Sequence, residues 1–293
     1  MKKHNLKLGA AIVLNSLITL LQVSGGIISG SLSLISDALH NFSDVIALVI
    51  SYIATILSYR KNTVHKTFGY KRAEIVAAFT NTLALISVAL YLTTESFQRF
   101  YHPEPVSSVW VIALSGTAIF INGLSALILR RDASENLNIK SSYLHLVTDM
   151  FSSVAVLCGG VIMYYFSIYW VDGVLTLIIA GCLIYKSLIL LSQTLKVLML
   201  FTPSSIIIED INRKICELPE VENIHHIHVW QLDDKQIHFE GHVDLSEDMP
   251  LKKVNDVLEQ IRFVLRDQFK IVHVTLQPEY NICYEKDLVS GVH

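Results

Sequence analysis

Apolar residues fall in long unbroken runs over the first two thirds of the chain and in short alternating ones over the last third. Six stretches, roughly 8–29, 32–58, 74–97, 109–129, 141–166 and 172–198, can cross about 30 Å of hydrocarbon as helices rising about 1.5 Å per residue. The first opens on Lys2, Lys3 and Lys7, as a signal peptide would. It is too long for one and five more runs follow, so it reads as a span. After Pro203 the pattern becomes that of a soluble domain. A helix is expected near 204–217, strands near 222–231 and 236–245, a helix near 250–269 and a strand near 271–277. In the second strand Ile237, Phe239, Val243 and Leu245 alternate with His238, Glu240, His242 and Asp244, which predicts one buried face and one polar, histidine-rich face. The expected architecture is an all-α six-helix membrane domain over 1–202, then an α+β domain over 203–293. In the latter, helix-strand-strand-helix-strand order gives one sheet backed by two helices, a ferredoxin-like plan.

Composition agrees. The 293 residues are 52% hydrophobic and 17% charged, with a mean hydropathy of +0.47, too apolar for an ordinary soluble protein. The net charge of −3 gives no sign of a nucleic-acid partner. Cys158, Cys182, Cys216 and Cys283 are scattered, without disulfide or thiolate-metal spacing, and read as packing residues. Lys and Arg cluster in the N-terminal segment, in the 59–73 loop and in the 130–140 loop, whereas the opposite loops hold only Arg99. That asymmetry predicts that both termini are cytoplasmic.

Against this background the polar residues inside the runs stand out. Residues 39–44 read LHNFSD and residues 144–149 read LHLVTD, two copies of Leu-His-x-x-x-Asp in the second and fifth runs. The four-residue spacing puts His and Asp one turn apart on one helix face. An ionised carboxylate at the centre of a span costs about 2.5–3.5 kcal/mol, so such residues are functional candidates. One copy alone is equally well a polar pair joining two helices. Two copies let His40, Asp44, His145 and Asp149 converge. The two runs cross the membrane in opposite directions, as in an inverted repeat of three plus three spans, and Asp44 and Asp149 lie ~18 and ~17 Å from their helix starts. Two imidazoles and two carboxylates make a tetrahedral donor set suited to zinc or cobalt. Four protein ligands leave no open position for an activated water, which favours binding or transport over catalysis. Asp37, one turn before His40, is expected to steady that imidazole as an outer hydrogen-bond acceptor. Asn15, Gln22, Asn81 and Asn122 are expected to hydrogen-bond between helices.

The stretches SGSLSLISDALHNFSD, HKTFGYKRAEIVAAFTNTLAL, INGLSALILRR, YLHLVTDMFSSVAVL and IHHIHVWQL together resemble the cation diffusion facilitator family, nearly end to end. The resemblance is to its zinc-transporting branch, among bacterial zinc/cadmium/cobalt exporters and vertebrate zinc transporters. It implies a homodimer of six-helix protomers that exchanges cytoplasmic Zn2+ for protons by alternating access, with Co2+ or Cd2+ as further cargo. It implies that His40, Asp44, His145 and Asp149 form the intramembrane site, and that histidine at position 40 sets preference for zinc over cadmium. It also implies a cytoplasmic metal-binding and dimerising domain, whose ligands come from His225–His228, His242 and His273. Strand alternation puts His226 and His228 on one face and His225 on the other, so His228, His242 and His273 are the expected trio, with Glu279 as a further candidate. The expected setting is a multi-pass protein of a bacterial inner membrane, in contact with lipid, with zinc as substrate and regulatory ligand and no organic cofactor. The alternatives are a membrane-anchored metal sensor or an intramembrane metalloenzyme. The enzyme would need an HExxH motif or many histidine boxes, which this sequence lacks.

Overall fold

The computed structural model describes residues 2–58, 62–102, 104–130, 137–233, 236–282 and 287–289. Among these residues six long helices occupy the apolar part: α1 (Lys2–Ser29), α2 (Leu32–Ser58), α3 (Ala73–Tyr101), α4 (Ser108–Leu129), α5 (Leu137–Phe166) and α6 (Trp170–Leu198). Among the described residues, four stretches are long and apolar enough to cross a membrane, Ala73–Tyr101, Ser108–Ile128, Tyr143–Phe166 and Trp170–Leu198; α1 adds a shorter apolar stretch, Ser16–Ser29. Packing divides the chain into two units. The first comprises Met1–Ile53 and Ala78–Leu191, the second Ala54–Ala77 and Ser192–His293.

In the first unit α4 packs on α5 and on α1. Lipid tails are as apolar as leucine, so helices associate here through close fit rather than exclusion of water. Small residues provide that fit. A Cβ on Gly25 of α1 would stand 1.8 Å from Leu114 Cδ1 of α4, and one on Gly159 of α5 would stand 2.2 Å from Leu175 Cδ1 of α6. Buried apolar contacts fill the remainder: Leu34, Val106, Val111, Val156 and Met163 form one cluster, and Ala89, Ala180 and Leu183 join α3 to α6. Large apolar side chains such as Ile27, Phe120 and Tyr185 face outward, where hydrocarbon would solvate them.

The second unit contains α7 (Ile208–Ile215), β1 (Val221–Gln231), β2 (Ile237–Leu245), α8 (Leu251–Phe269) and β3 (His273–Glu279). The helix expected from residue 204 starts only at Ile208, because Ile207 is extended with φ −109° and ψ 112°. The sheet order is β1-β2-β3. β1 and β2 are antiparallel, β2 and β3 parallel. A parallel pair needs a long crossover, and α8 supplies it. The inner face of the sheet carries Ile224, Ile227, Val229, Ile237, Phe239 and Val243, which bury against Ile211 and Ile215 of α7 and Val254, Val257, Ile261 and Leu265 of α8. α8 stops at Lys270, whose left-handed φ of 60° caps it.

β1 is not a regular strand. His225 lies opposite His242 and His228 lies opposite Glu240, so three steps along β1 match two along β2. The extra residue forms a bulge at His226, whose φ is 53°. Past the bulge the alternation is reset, and residues 225 and 228 share a face that strict period-two pairing would deny them. The freed amides of His226 and Ile227 donate to the carbonyls of Asp287 and Leu288 at 3.2 and 2.9 Å.

The Gly25 contact yields a direct expectation. Gly25→Leu forces α1 from α4 and lowers unfolding stability in detergent by about 1–3 kcal/mol, and Leu114→Ala in the same chain restores part of it. A Gly25→Leu protein as stable as the parent shows that α1 and α4 do not depend on this fit.

Candidate metal centres

The first cluster lies between α2 and α5 and is built around one carboxylate. Asp149 is buried, with an oxygen 3.8 Å from His40 Nε2. Its other oxygen is 3.5 Å from Nε2 of His145, one turn earlier on α5. The two imidazole rings are 6.0 Å apart and edge-to-face. Three of the four expected ligands thus stand together. The fourth, Asp44, sits one turn after His40 on α2, but its side chain lies outside the described residues.

Around this cluster the helices are fixed by a polar network. The buried Asp37 carboxylate accepts hydrogen bonds from the Gln22 amide at 2.8 Å, the Ser152 hydroxyl at 2.6 Å and the Ser153 hydroxyl at 3.0 Å. Gln22 accepts in turn from the Asn41 amide at 3.3 Å. Asp37 therefore ties α2 to α1 and to the turn of α5 just beyond Asp149, setting the spacing of the helices that carry the ligands. Gln22 and Asn81 make the interhelical bonds expected of them, Asn81 donating to Ser43 at 3.3 Å. Asn122 does not: buried on α4, its side-chain amide has no hydrogen-bond partner among the described residues.

The second cluster lies on the polar face of the sheet. Donor atoms of His225, His242 and Glu279 all lie within 4.8 Å of one another. Glu279 accepts from His242 Nδ1 at 2.8 Å and from Gln277 at 2.8 Å, and its other oxygen is 3.5 Å from His225 Nε2. Asp244 is 3.8 Å from the second nitrogen of His225, so that imidazole has a carboxylate on either side. This donor set fits zinc, which takes imidazole and carboxylate ligands.

The trio expected from alternation is distributed differently. His242 belongs to the cluster. His228 shares its face, beside His226 at 5.2 Å between rings, while His226 stacks on His242 at 4.8 Å. His273 is opposite His238 in the parallel register, with ring centroids 4.4 Å apart. Four steps along β2, about 13 Å, separate His238 from His242, so His273 sits towards the other end of the face from the His242 cluster. His225 takes its place because of the bulge, which a period-two reading cannot anticipate.

His238 shows what the other end of this face is like. It is sandwiched by Trp230, stacked at 5.4 Å, and Phe68, edge-on at 5.8 Å. Burial holds its pKa below the usual 6.5, and the neighbouring His273 lowers it further while Asp233 partly opposes the shift.

Comparison with known proteins separates the apolar part of the chain from the C-terminal part. Residues 8–199 match the family model of the cation efflux transmembrane domain, and residues 203–281 that of the cation efflux protein cytoplasmic domain. A cadmium, cobalt and zinc/H(+)-K(+) antiporter of Bacillus velezensis is 33% identical over 262 residues, 89% of this chain and 83% of the relative. The zinc transporter ZitB of Escherichia coli is 32% identical over 270 residues, 92% and 85% of the two chains. The metal cation efflux system protein CzcD of Cupriavidus metallidurans is 32% identical over 277 residues, 94% and 87%. Among solved structures, a metal-bound C-terminal domain of the CzcD transporter aligns at 28% identity with a TM-score of 0.23, over 25% of this chain and 99% of that one.

The His238 environment predicts a titration. In a chain whose other tryptophans are replaced (Trp110→Phe, Trp170→Phe), protonation of the stacked imidazole quenches Trp230 with a midpoint below pH 6.5. His273→Ala moves that midpoint upward, because one of the influences lowering it is gone. A midpoint at or above 6.5 in the parent contradicts the buried stack.

Proposed function

The chain belongs to the cation efflux family of zinc, cadmium and cobalt transporters, and from that premise we propose that it exports Zn2+ from the cytoplasm in exchange for protons. The cargo is held by His40, Asp44, His145 and Asp149. The observation that carries this reading is the Asp149 carboxylate, buried within 3.8 Å of His40 on α2 and 3.5 Å of His145 on α5. A dication there is neutralised by the carboxylates of Asp149 and Asp44, which helps it sit in a low-dielectric bundle.

Exchange follows from the same atoms. Zinc requires neutral imidazoles and ionised carboxylates, so protons and metal compete for the same lone pairs. Imidazole titrates near pH 6.5 when unperturbed, so a modest pH difference across the membrane changes metal affinity between its two sides. Alternating access around the site then converts that difference into net export. In this reading all six helices α1 to α6 span a bacterial inner membrane in an inverted-repeat arrangement, both termini are cytoplasmic, and two protomers associate through the ferredoxin-like cytoplasmic domain. Zinc at His225, His242 and Glu279 reports cytoplasmic metal to the transporter. No organic cofactor takes part, and the chemistry is transport, not catalysis.

Two measurements test the reading. Asp149→Ala in reconstituted vesicles abolishes zinc flux while the protein still folds, since it removes the carboxylate that both imidazoles face; flux at the parental rate would reject the site. His40→Asp replaces a one-directional nitrogen ligand with a carboxylate able to bind through two oxygens at longer distances, which suits the larger Cd2+. Competitive flux at one pH therefore gives a higher cadmium-to-zinc ratio in His40→Asp than in the parent. An unchanged or lower ratio removes His40 as the selectivity residue.

A further inference from the structure

At the Arg99 end of the first unit, several helices meet on one carboxylate that the transport site does not use. Asp172, in the first turn of α6, is buried. It accepts hydrogen bonds from the Ser31 hydroxyl at 2.5 Å, the Leu32 amide at 2.8 Å, the Ser33 amide at 3.4 Å and the Ser33 hydroxyl at 2.6 Å. Those amides belong to the first turn of α2, where a helix has N–H groups with no partner of its own. Asp172 therefore does from another helix what an N-cap residue does locally. The Arg99 guanidinium, in the last turn of α3, stands 3.8 Å from the same carboxylate and donates to the Gly30 carbonyl between α1 and α2. One residue beyond Asp172, the Gly173 carbonyl accepts from Ser96 of α3 at 2.6 Å.

These contacts join two groups of helices. α3 and α6 pack on each other through Ala89, Ala180 and Leu183. α4 packs on α5 and α1, and Asp37 ties α1, α2 and α5 together. Asp172 and Arg99 cross from the first group to the start of α2, the helix that carries His40 two turns further on. The contact also bears on the one exception in the Lys/Arg distribution, because the Arg99 charge is shared among the buried Asp172, the exposed Glu104 at 3.3 Å and the Gly30 carbonyl. Charge-assisted bonds to a buried carboxylate are strong, and losing them exposes the carboxylate to a desolvation cost unless water replaces the donors. Packed helix contacts of this kind lend themselves to two arrangements, made and broken.

We propose that Asp172 is a positioning residue for transport, a latch that caps α2 and holds the Arg99 end of the bundle closed, and whose release opens the path from the metal site to that side. What passes along the path rests on the transport reading above; the latch rests on the geometry of Asp172, Arg99, Ser31 and Ser33.

The test reads accessibility and transport separately. Cys158, Cys182, Cys216 and Cys283 are replaced by Ser, and Ser36→Cys places a reporter on α2 between the capped turn and His40, at a buried position. A membrane-impermeant maleimide is then applied to each face of oriented vesicles. Asp172→Asn raises labelling from the Arg99 side about tenfold, the population shift that follows from losing one charge-assisted bond. Ser31→Ala with Ser33→Ala, which leaves the carboxylate and Arg99 in place, raises it by an intermediate factor, and Asp172→Glu restores low labelling in part. Zinc KM at the opposite face rises in step with labelling, while the zinc Kd in detergent stays constant. Labelling that does not change in the folded serine double variant overturns the latch, whatever happens to flux, and also decides the matter should Asp172→Asn fail to fold. Absence of zinc flux in the parent protein would overturn the transport reading and leave the labelling result to judge the latch alone.

Discussion

A carboxylate buried in a membrane-spanning bundle must be matched by something other than water, and the solution chosen at each one organises the rest of this molecule. The described part of the first unit buries three: Asp37, Asp149 and Asp172. Asp37 is answered by three neutral donors, Gln22, Ser152 and Ser153. Asp172 is answered by two hydroxyls, two amides and a nearby guanidinium. Asp149 instead faces two imidazoles, groups that accept a metal as readily as a proton. The first two are matched by the fold itself. The third faces groups able to take an exchangeable ion, and under the proposed function that difference divides scaffold from site.

The cytoplasmic face applies a similar rule with a strand in place of a helix. A sheet buried on one side by α7 and α8 has a second side that can carry polar groups, and residues alternate between the two. Placing His225 and His228 on the same side needs an added residue, and the bulge at His226 provides it. The backbone amides this frees are taken by Asp287 and Leu288, so the segment near the chain's end helps maintain the geometry of His225. The parallel β2–β3 register then sorts the remaining groups: Glu279 falls opposite Asp244, close to His242, while His273 falls opposite His238.

Much of this is legible in the sequence where the cause is local. Apolar runs give helix limits within a few residues, as with 32–58 for α2 and 172–198 against Trp170–Leu198 for α6, because apolar length is a property of contiguous residues. The second strand, the second helix and the histidine-rich face are legible for the same reason. The repeated His-x-x-x-Asp spacing singles out His40, Asp44, His145 and Asp149, and the fold brings His40, His145 and Asp149 together. What escapes is what depends on partners far apart in the chain. Asp172 bonds to residues about 140 positions away, and no local pattern distinguishes it from an ordinary first-turn acid. The role of His225 hinges on a bulge stabilised by a distant tail, and that of His273 on a parallel register that alternation leaves open. The adjacent pair His225–His226 in a strand was the one visible hint, since two like polar residues in succession break period two.

The central claim is that protons and zinc compete for His40, His145 and the aspartates beside them. Calorimetric titration of the full-length protein with zinc tests it most directly, in a chain carrying His225→Ala and His242→Ala so that the cytoplasmic cluster is silent. The account predicts that zinc affinity falls as pH is lowered, with protons released on binding in a number that grows as pH falls. Zinc affinity that is flat between pH 5.5 and 8, with no proton release, would contradict it.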